Sequence, residues 1–192
     1  VASTPSDLAQ EDLVSGGGLV LSTVNGSITV KGGADTNGVS AAGNLLLRTG
    51  ESGEGVEDNA DDIALEARVV STGGHLSLNS ADDVTQTATG DVETQTAGKT
   101  IDVLAAGAIA MDDGATATTN GGDIRYEAST GNITVGEFVA GAGRVALWAV
   151  AGSVNDLAVD TSARDVTAAK LLIVAAQNVA AGANHLETSV GT

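Results

Sequence analysis

A short strand motif recurs along this chain at intervals of 21 to 31 residues. Each copy has two apolar residues two positions apart, then a polar stretch that often contains glycine, then another apolar residue. The first apolar positions of the copies are Leu19, Leu45, Leu76, Ile101, Ile124, Val145 and Leu171. A unit of this length that recurs with alternating apolar residues is typical of a solenoid, in which the units stack on one another.

Each repeat divides into three short strands. The first carries the apolar pair, the second follows a glycine, as at residues 28–30 and 133–135, and the third precedes a glycine-rich turn, as at residues 138–139. Three strands per turn is the cross-section of a parallel β-helix, whose equivalent strands stack about 4.8 Å apart. The variable repeat length favours the right-handed form, because the left-handed form needs a strict hexapeptide period. We therefore predict an all-β fold, a right-handed parallel β-helix (solenoid) of about seven rungs.

Stacking the repeats in register places like residues over like. Two inward columns are apolar in every repeat. One consists of the seven first apolar positions, and the other consists of Leu21, Leu47, Leu78, Val103, Tyr126, Leu147 and Ile173. The column between them faces outward and is mixed, as expected of a solvated face; it contains Val20, Leu46, Ser77, Asp102, Arg125, Ala146 and Leu172. Asp102 and Arg125 are then neighbours on adjacent rungs.

Residues 1–15 do not follow the repeat. We expect them to form a linker or a short capping segment, in which residues 6–13 could make one or two helical turns with Ser6 as the N-cap. The β-helix module is expected to span residues 16–192. Since the chain starts at Val1 without an initiator methionine, we interpret it as one block of a longer repeat protein.

The composition narrows the range of functions. Eight Lys and Arg residues stand against 25 Asp and Glu residues, which gives a formal net charge of −17. A nucleic-acid-binding domain would show clustered cations, so no nucleic-acid partner is predicted. No apolar run reaches the roughly 18 residues that a membrane span needs, so no membrane insertion is predicted. The chain has no cysteine, which excludes disulfides and thiolate metal ligands.

The longest repeat contains an acidic insertion at residues 50–62. Its carboxylates could hold Ca²⁺, which prefers several oxygen ligands, but the spacing of an EF-hand is absent. A solvated acidic loop is the simpler interpretation, and Ca²⁺ at residues 51–62 is kept as the alternative. Asp82 and Asp83 lie at another turn and are also expected to be solvated. No other cofactor is predicted.

The sequence predicts no catalytic, cofactor-binding or metal-binding residue. A glycosidase or polysaccharide lyase would need clustered acids on one lateral face, whereas the acids here fall mainly in turns. His75 and His185 are far apart in sequence and are expected on the surface. Trp148 follows an inward leucine and should point outward, where it could stack on a glycan or pack under a neighbouring loop.

One stretch of the repeat resembles a known family. Residues 101–109 carry an apolar pair, two alanines, Gly107 and Ile109, and a Gly121-Gly122 turn with a second apolar pair follows them. This pattern resembles the filamentous-haemagglutinin-like repeats of large bacterial secreted adhesins. Residues 184–190 also resemble a segment that recurs between tandem blocks in giant adhesins of this kind. The resemblance covers about residues 16–192 and implies a right-handed β-helix that is displayed outside the cell as a long fibre.

The sequence thus predicts a structural module of a bacterial extracellular adhesin or surface fibre, without enzymatic activity. Its expected partners are identical subunits or adjacent modules joined end to end, and host-cell or matrix glycans or proteins at the lateral loops. The alternative function is a β-helical carbohydrate-active enzyme or a carbohydrate-binding module. The expected location is the bacterial cell surface.

Overall fold

A computed structural model describes residues 2–4, 6–34, 36–50, 61–157, 164–180 and 185–191. Every regular element in these residues is a β-strand, and the strands pair in parallel within three sheets. The chain visits the three sheets in turn seven times, adding one strand to each sheet every time, and its last two strands extend two of the sheets. The predicted all-β solenoid with three strands per turn is confirmed. Its right-handed sense, which parallel crossovers adopt in nearly all proteins, stays a prediction.

The strands are numbered in chain order and are grouped here by sheet. Sheet A contains β1 (Ala2–Thr4), β4 (Leu19–Thr23), β7 (Leu45–Arg48), β10 (Leu76–Ser80), β13 (Ile101–Ala105), β16 (Ile124–Ala128), β19 (Arg144–Ala149) and β22 (Lys170–Ala175). Sheet B contains β2 (Leu8–Glu11), β5 (Ile28–Lys31), β8 (Ile63–Leu65), β11 (Val84–Gln86), β14 (Ile109–Met111), β17 (Ile133–Val135) and β20 (Val154–Asp156). Sheet C contains β3 (Leu13–Ser15), β6 (Asn37–Ala41), β9 (Arg68–Ser71), β12 (Val92–Thr94), β15 (Thr116–Thr119), β18 (Glu137–Val139), β21 (Val166–Ala168) and β23 (Thr188–Val190).

The register of sheet A agrees with the prediction at every rung from β4 to β22. Both predicted inward columns stack residue on residue, and so does the outward column between them. Arg125 lies next to Asp102, with Nε 2.6 Å from Oδ1 and Nη2 3.1 Å from Oδ2. Both side chains are nearly half exposed, so the pair stabilises the fold by at most about 1 kcal/mol. The register of sheet A is therefore determined mainly by the stacking of the apolar columns.

The core is narrow and mostly aliphatic. Tyr126 and Phe138 are fully buried within it and meet edge to face, with ring centroids 4.8 Å apart. Small residues stack where the chain turns from sheet A toward sheet B; this column contains Ser80, Ala105, Ala128 and Ala149. Small side chains suit this corner because adjacent sheets converge there and leave little volume between them.

Residues 1–15 contradict the expected helical turns. They form β1, β2 and β3, which pair with β4, β5 and β6, so strands of the solenoid begin well before residue 16. Leu8 and Leu13 pack against the core, as inward strand residues do. The chain forms strands β2 and β3 here instead of a helical turn, because the edges of β5 and β6 offer hydrogen-bond partners that an isolated helical turn lacks.

Candidate functional site

The corner that precedes sheet B carries a column of short, mostly polar residues, one before each of its seven strands and one before Val179, which bridges to Val154. These residues, here called the corner ladder, are Asp7, Ser27, Asp62, Asp83, Ala108, Asn132, Ser153 and Asn178. A side-chain oxygen on one rung accepts the backbone N–H of the next rung. Oδ1 of Asp7 lies 2.9 Å from Ser27 N, and Oδ1 of Asp62 lies 3.0 Å from Asp83 N. The corner ladder therefore joins rungs at a point between sheets.

The corner ladder has one gap, at Ala108, which has no side-chain oxygen for the N–H of Asn132. One ladder contact also needs glycine beside it, since a Cβ at Gly107 would overlap the carboxylate of Asp83. Sequence reasoning missed this feature. Its signal is a single Asp, Ser or Asn before the second strand of seven of the eight repeats, which a search for apolar periodicity does not detect.

Asp82 and Asp83 are not simply solvated, and that expectation is wrong. Both are half-buried, and Oδ1 of Asp83 accepts the N–H of Ala108 at 2.6 Å. Together with Asp62 they form a group whose carboxylate oxygens lie within 4.8 Å of one another. Burial raises the pKa of Asp62, the charges of Asp83 and Asp61 act in the same direction, and the hydrogen bond from Asp83 N–H opposes them. The group has the ligand type that Ca²⁺ prefers.

A second group of acids joins sheet B to sheet C near the C-terminal end. The carboxylate oxygens of Asp156, Asp165 and Glu187 lie within 4.8 Å of one another. Asp165 is buried, and its Oδ2 accepts the N–H of Glu187 at 2.7 Å. This contact connects β21 to the segment before β23, so the group also has a structural role.

Most of the acidic insertion, residues 51–60, lies outside the described residues, and the Ca²⁺ prediction made for it falls largely there. Its last two residues, Asp61 and Asp62, are described. Asp61 is buried; its carboxylate accepts the N–H of Gly26, and its carbonyl oxygen accepts the hydroxyl of Ser80 at 2.9 Å. These contacts anchor the end of the insertion to two rungs of the solenoid.

A shallow concavity of about 280 Å³ lies beside the start of the insertion. It follows the edge of sheet A over four rungs and is lined by Arg48, Thr49, Gly50, Asn79, Ser80, Ala81, Leu104, Ala106 and Ser129. Among these described residues none is an acid, and Arg48 is the charged one. Its lining thus differs from the paired carboxylates of glycoside hydrolysis. Hydroxyl, amide and guanidinium groups could instead hydrogen-bond to a polar ligand.

Trp148 points outward from β19, as predicted, and is 37% exposed. It lies beside Val174 of β22, while Ala146 lies beside Leu172 on the same outer face. The exposed side chains of Trp148, Leu172 and Val174 with Ala146 between them are here called the apolar patch. Preceding rungs carry Asp102, Arg125 and Glu127 on this face, so the surface changes from charged to apolar within one rung.

Among the described residues, the core is only partly covered at its C-terminal end. Inward residues of the last sheet A strand, Leu171 and Ile173, are only partly buried, whereas their stacking partners Val145 and Leu147 are fully buried. Among the described strands, β22 pairs with β19 alone. The inward residues of sheet A donate their N–H groups toward the following rung, as Leu76 does to Thr100 O at 3.0 Å. In β22 the N–H groups of Leu171 and Ile173 therefore face the open end.

The two histidines lie apart from each other on the surface. Nδ1 of His75 is 2.8 Å from the hydroxyl of Thr100, one rung away. Nε2 of His185 is 3.5 Å from a carboxylate oxygen of Glu187. These contacts join neighbouring rungs or neighbouring residues and do not bring the two rings together.

No helix in the part of the chain that the structure describes could cross a membrane. Comparisons with known protein families, with curated proteins and with solved structures find no match to this chain. The resemblance to filamentous-haemagglutinin-like repeats therefore rests on the residue pattern alone. In its described residues the structure shows a three-sided parallel β-solenoid with a partly covered core end, two acidic groups, a polar concavity and an apolar patch.

Proposed function

We propose that this chain is a structural rod segment of a bacterial extracellular adhesin or surface fibre, and that it associates with identical copies or adjacent modules end to end. One observation carries the proposal: in the described part of the chain, the core is only partly covered at the C-terminal end and β22 has no partner on its outer edge. Leu171 and Ile173 are the last members of two apolar columns that run unbroken from Leu19 and Leu21. A further rung placed on them would continue both columns.

Unpaired strand edges favour association. An exposed edge presents a row of free N–H and C=O groups that can template another strand. Here the edge of β22 is combined with a partly exposed apolar core, so an added rung would gain hydrogen bonds and apolar contact together. At the opposite end, β1, β2 and β3 each have one neighbour among the described strands. The two ends are thus both able to accept a rung.

The charge and composition also support an exposed rod. A net charge of −17 opposes general aggregation of the rods, so contact at a specific surface such as the ends is favoured. The absence of cysteine means that its stability does not depend on disulfides or on the redox state of the surroundings. A fibre outside a bacterial cell needs to resist aggregation and to keep its fold without depending on the redox state, so this charge and composition suit such a fibre.

The proposal is tested by blocking the open end with a charge. Ile173→Glu places a carboxylate on the core end, where a further rung would have to bury it, so end-to-end association should be lost. Leu172→Glu is the matched control, because it puts the same group one residue away on the outer face of the same strand. Sedimentation velocity should show elongated oligomers for the wild type and for Leu172→Glu, and none for Ile173→Glu.

Two results would overturn the proposal. One is a wild-type chain that stays monomeric at every concentration up to the solubility limit. The other is an elongated species that Ile173→Glu leaves unchanged. Negative-stain electron microscopy of the same samples adds a second readout, since end-to-end growth lengthens particles without widening them.

A second candidate function is binding of a glycan along sheet A. The polar concavity favours it, because its lining offers Arg48, Asn79 and Ser129 as hydrogen-bonding groups. Arg48 and Asn79 are neighbours in one outward column, which continues through Leu104 to Glu127 and Trp148. Arg48→Ala and Asn79→Ala should then reduce retention on a glycan array without changing the melting temperature. Equal retention of the variants and the wild type would reject this candidate.

A further inference from the structure

The apolar patch is unusual for the outer face of this protein. Leu172 and Val174 are 41% and 48% exposed, and they lie next to Trp148 on the adjacent strand. At the other end of the same two strands, Arg144 and Lys170 form a stacked pair of cations, and Arg144 also pairs with Asp123 of the preceding rung, with Nη2 3.1 Å from Oδ2. Both are exposed, on a chain with only eight Lys and Arg residues. The face thus has a cationic end, an apolar middle and an aromatic end.

We propose that this face is a lateral interface for a second copy of the same chain, with the two rods side by side and parallel. The apolar middle and the aromatic end fit a protein partner, since aromatic residues and arginine are enriched in interface cores. The partner is a second copy because the face is complementary to itself. This lateral contact is separate from the proposed end-to-end contact, because it uses the side of the rod. Either contact can be absent while the other forms.

Self-complementarity follows from the order of the residues along the strand. Arg144 and Trp148 are four residues apart on one face, which is about 13 Å. Leu172 and Ala146 lie midway. A two-fold axis parallel to the rod and passing through the middle places Arg144 of one copy over Trp148 of the other, and Lys170 over Val174. An isologous contact of this kind repeats the favourable pairing twice.

The charges on neighbouring rungs agree with this pairing. Glu127, which also pairs with Arg125, is in register with Trp148, so the aromatic end carries a carboxylate on the rung before the indole. A cation placed there gains attraction from both groups. The alternative two-fold axis, parallel to the strands, makes the rods antiparallel and puts Arg144 and Lys170 of the two copies against each other. Like charges in contact disfavour that arrangement.

The patch is small, and this determines the strength of the contact. It covers the outer face of two strands, less than the roughly 1,200 Å² that a specific, stable interface buries in total. We therefore expect a single chain to pair weakly and reversibly. In a rod made of many modules the contact would recur at each one, and the effective concentration of the second contact would raise the overall affinity.

Leu172→Glu tests the interface, because residue 172 lies at the two-fold axis and meets its own copy there. Two carboxylates in contact should weaken lateral pairing by about tenfold or more in sedimentation equilibrium. Leu46→Glu is the matched control: Leu46 occupies the same outward column on a distant rung and should leave the pairing constant unchanged. Ile173→Glu removes end-to-end growth and should leave lateral dimers intact, so the two contacts are separated.

The orientation is tested with Leu172→Cys in a chain that otherwise has no cysteine, because residue 172 is 41% exposed at the proposed two-fold axis. In parallel rods residue 172 faces its own copy, and mild oxidation should produce a disulfide-linked dimer. In antiparallel rods it faces residue 146, so the single variant should not cross-link. Absence of the cross-link, or equal weakening by Leu172→Glu and Leu46→Glu, would overturn the proposal. So would a monomeric wild type that is retained on a sulfated polysaccharide and released by Lys170→Glu, since the patch would then bind an acidic glycan.

Discussion

The buried hydrogen bond between Tyr126 and Gln86 should contribute measurably to the stability of the fold. The phenol donates to Oε1 of Gln86 at 2.7 Å, and Nε2 of Gln86 donates to the carbonyl of Gly90 at 2.9 Å. Both side chains are at most 1% exposed. Tyr126→Phe keeps the ring that packs on Phe138 but leaves Oε1 of Gln86 without its donor. An unsatisfied buried polar group costs about 1–3 kcal/mol, so the free energy of unfolding should fall by that amount.

A double-mutant cycle separates the hydrogen bond from the packing. Gln86→Met suits the site, since Met111 occupies the same position on the next rung. It leaves the Tyr126 hydroxyl unpaired and should also cost about 1–3 kcal/mol. With both changes no polar group of the pair remains, so the combined loss should be smaller than the sum of the single losses by about 1 kcal/mol or more. Urea denaturation followed by circular dichroism measures all four proteins, and strictly additive losses would refute the reasoning.

The same pair gives a dependence on alkaline pH. Burial raises the pKa of Tyr126 above its ordinary value of 10.0. The folded chain therefore keeps the phenol proton at a pH where the unfolded chain releases it. This contribution to stability is complete below pH 10.0 and is lost as the pH rises above it. Because Tyr126 is the single tyrosine, ultraviolet titration of the phenolate reads this group alone, and Tyr126→Phe should lose stability less steeply above pH 10.0 than the wild type.

Three further changes test the corners of the solenoid. Ala108→Asn fills the gap in the corner ladder and should raise the free energy of unfolding by about 0.5–1.5 kcal/mol in urea denaturation; no gain would mean that the ladder does not carry stability. Gly122→Ala should lose about 1–3 kcal/mol because its Cβ would overlap a backbone carbonyl of the preceding rung, whereas Gly17→Ala, with open space around it, should change little. Asp62→Asn should raise the melting temperature at pH 7, because the raised pKa means that the charged form opposes folding there, and the gain should vanish below the ordinary Asp value of 3.8. Ca²⁺ should leave the wild-type melting temperature no higher than Mg²⁺ does, and a specific rise that Asp62→Asn abolishes would instead place an ion at this acid group.

The sheet A columns could be predicted from sequence because one physical requirement dominates them. An inward strand position in a narrow core must be apolar on every rung, so Leu45, Leu76 and Ile101 recur with the chain's own period. A shift by one residue would turn the whole apolar set to solvent, which makes the register unambiguous. The same rule placed Trp148 on the outside.

The first rung and the corner ladder could not be predicted in this way. The sheet A strand of the first rung, β1, pairs Ala2 with Leu21 and Thr4 with Thr23, so it lacks the apolar pair. In the corner ladder the requirement is an oxygen at one position, which Asp, Ser and Asn satisfy equally. A signal spread over three residue types and one position per repeat is hidden among ordinary turn residues.

The open C-terminal edge also has a consequence for how the rod responds to pulling force. Bonds between rungs run along the rod axis, so tension applied through β22 or β23 would load the last rung one bond after another. Each rung that peels away frees 21 to 31 residues, or about 70–110 Å of extended chain. A rung covered by a following module would instead share the load across three sheets at once. We therefore expect tensile strength to arise at the joint between modules, and an unjoined end to be the place where a fibre of this kind begins to unravel.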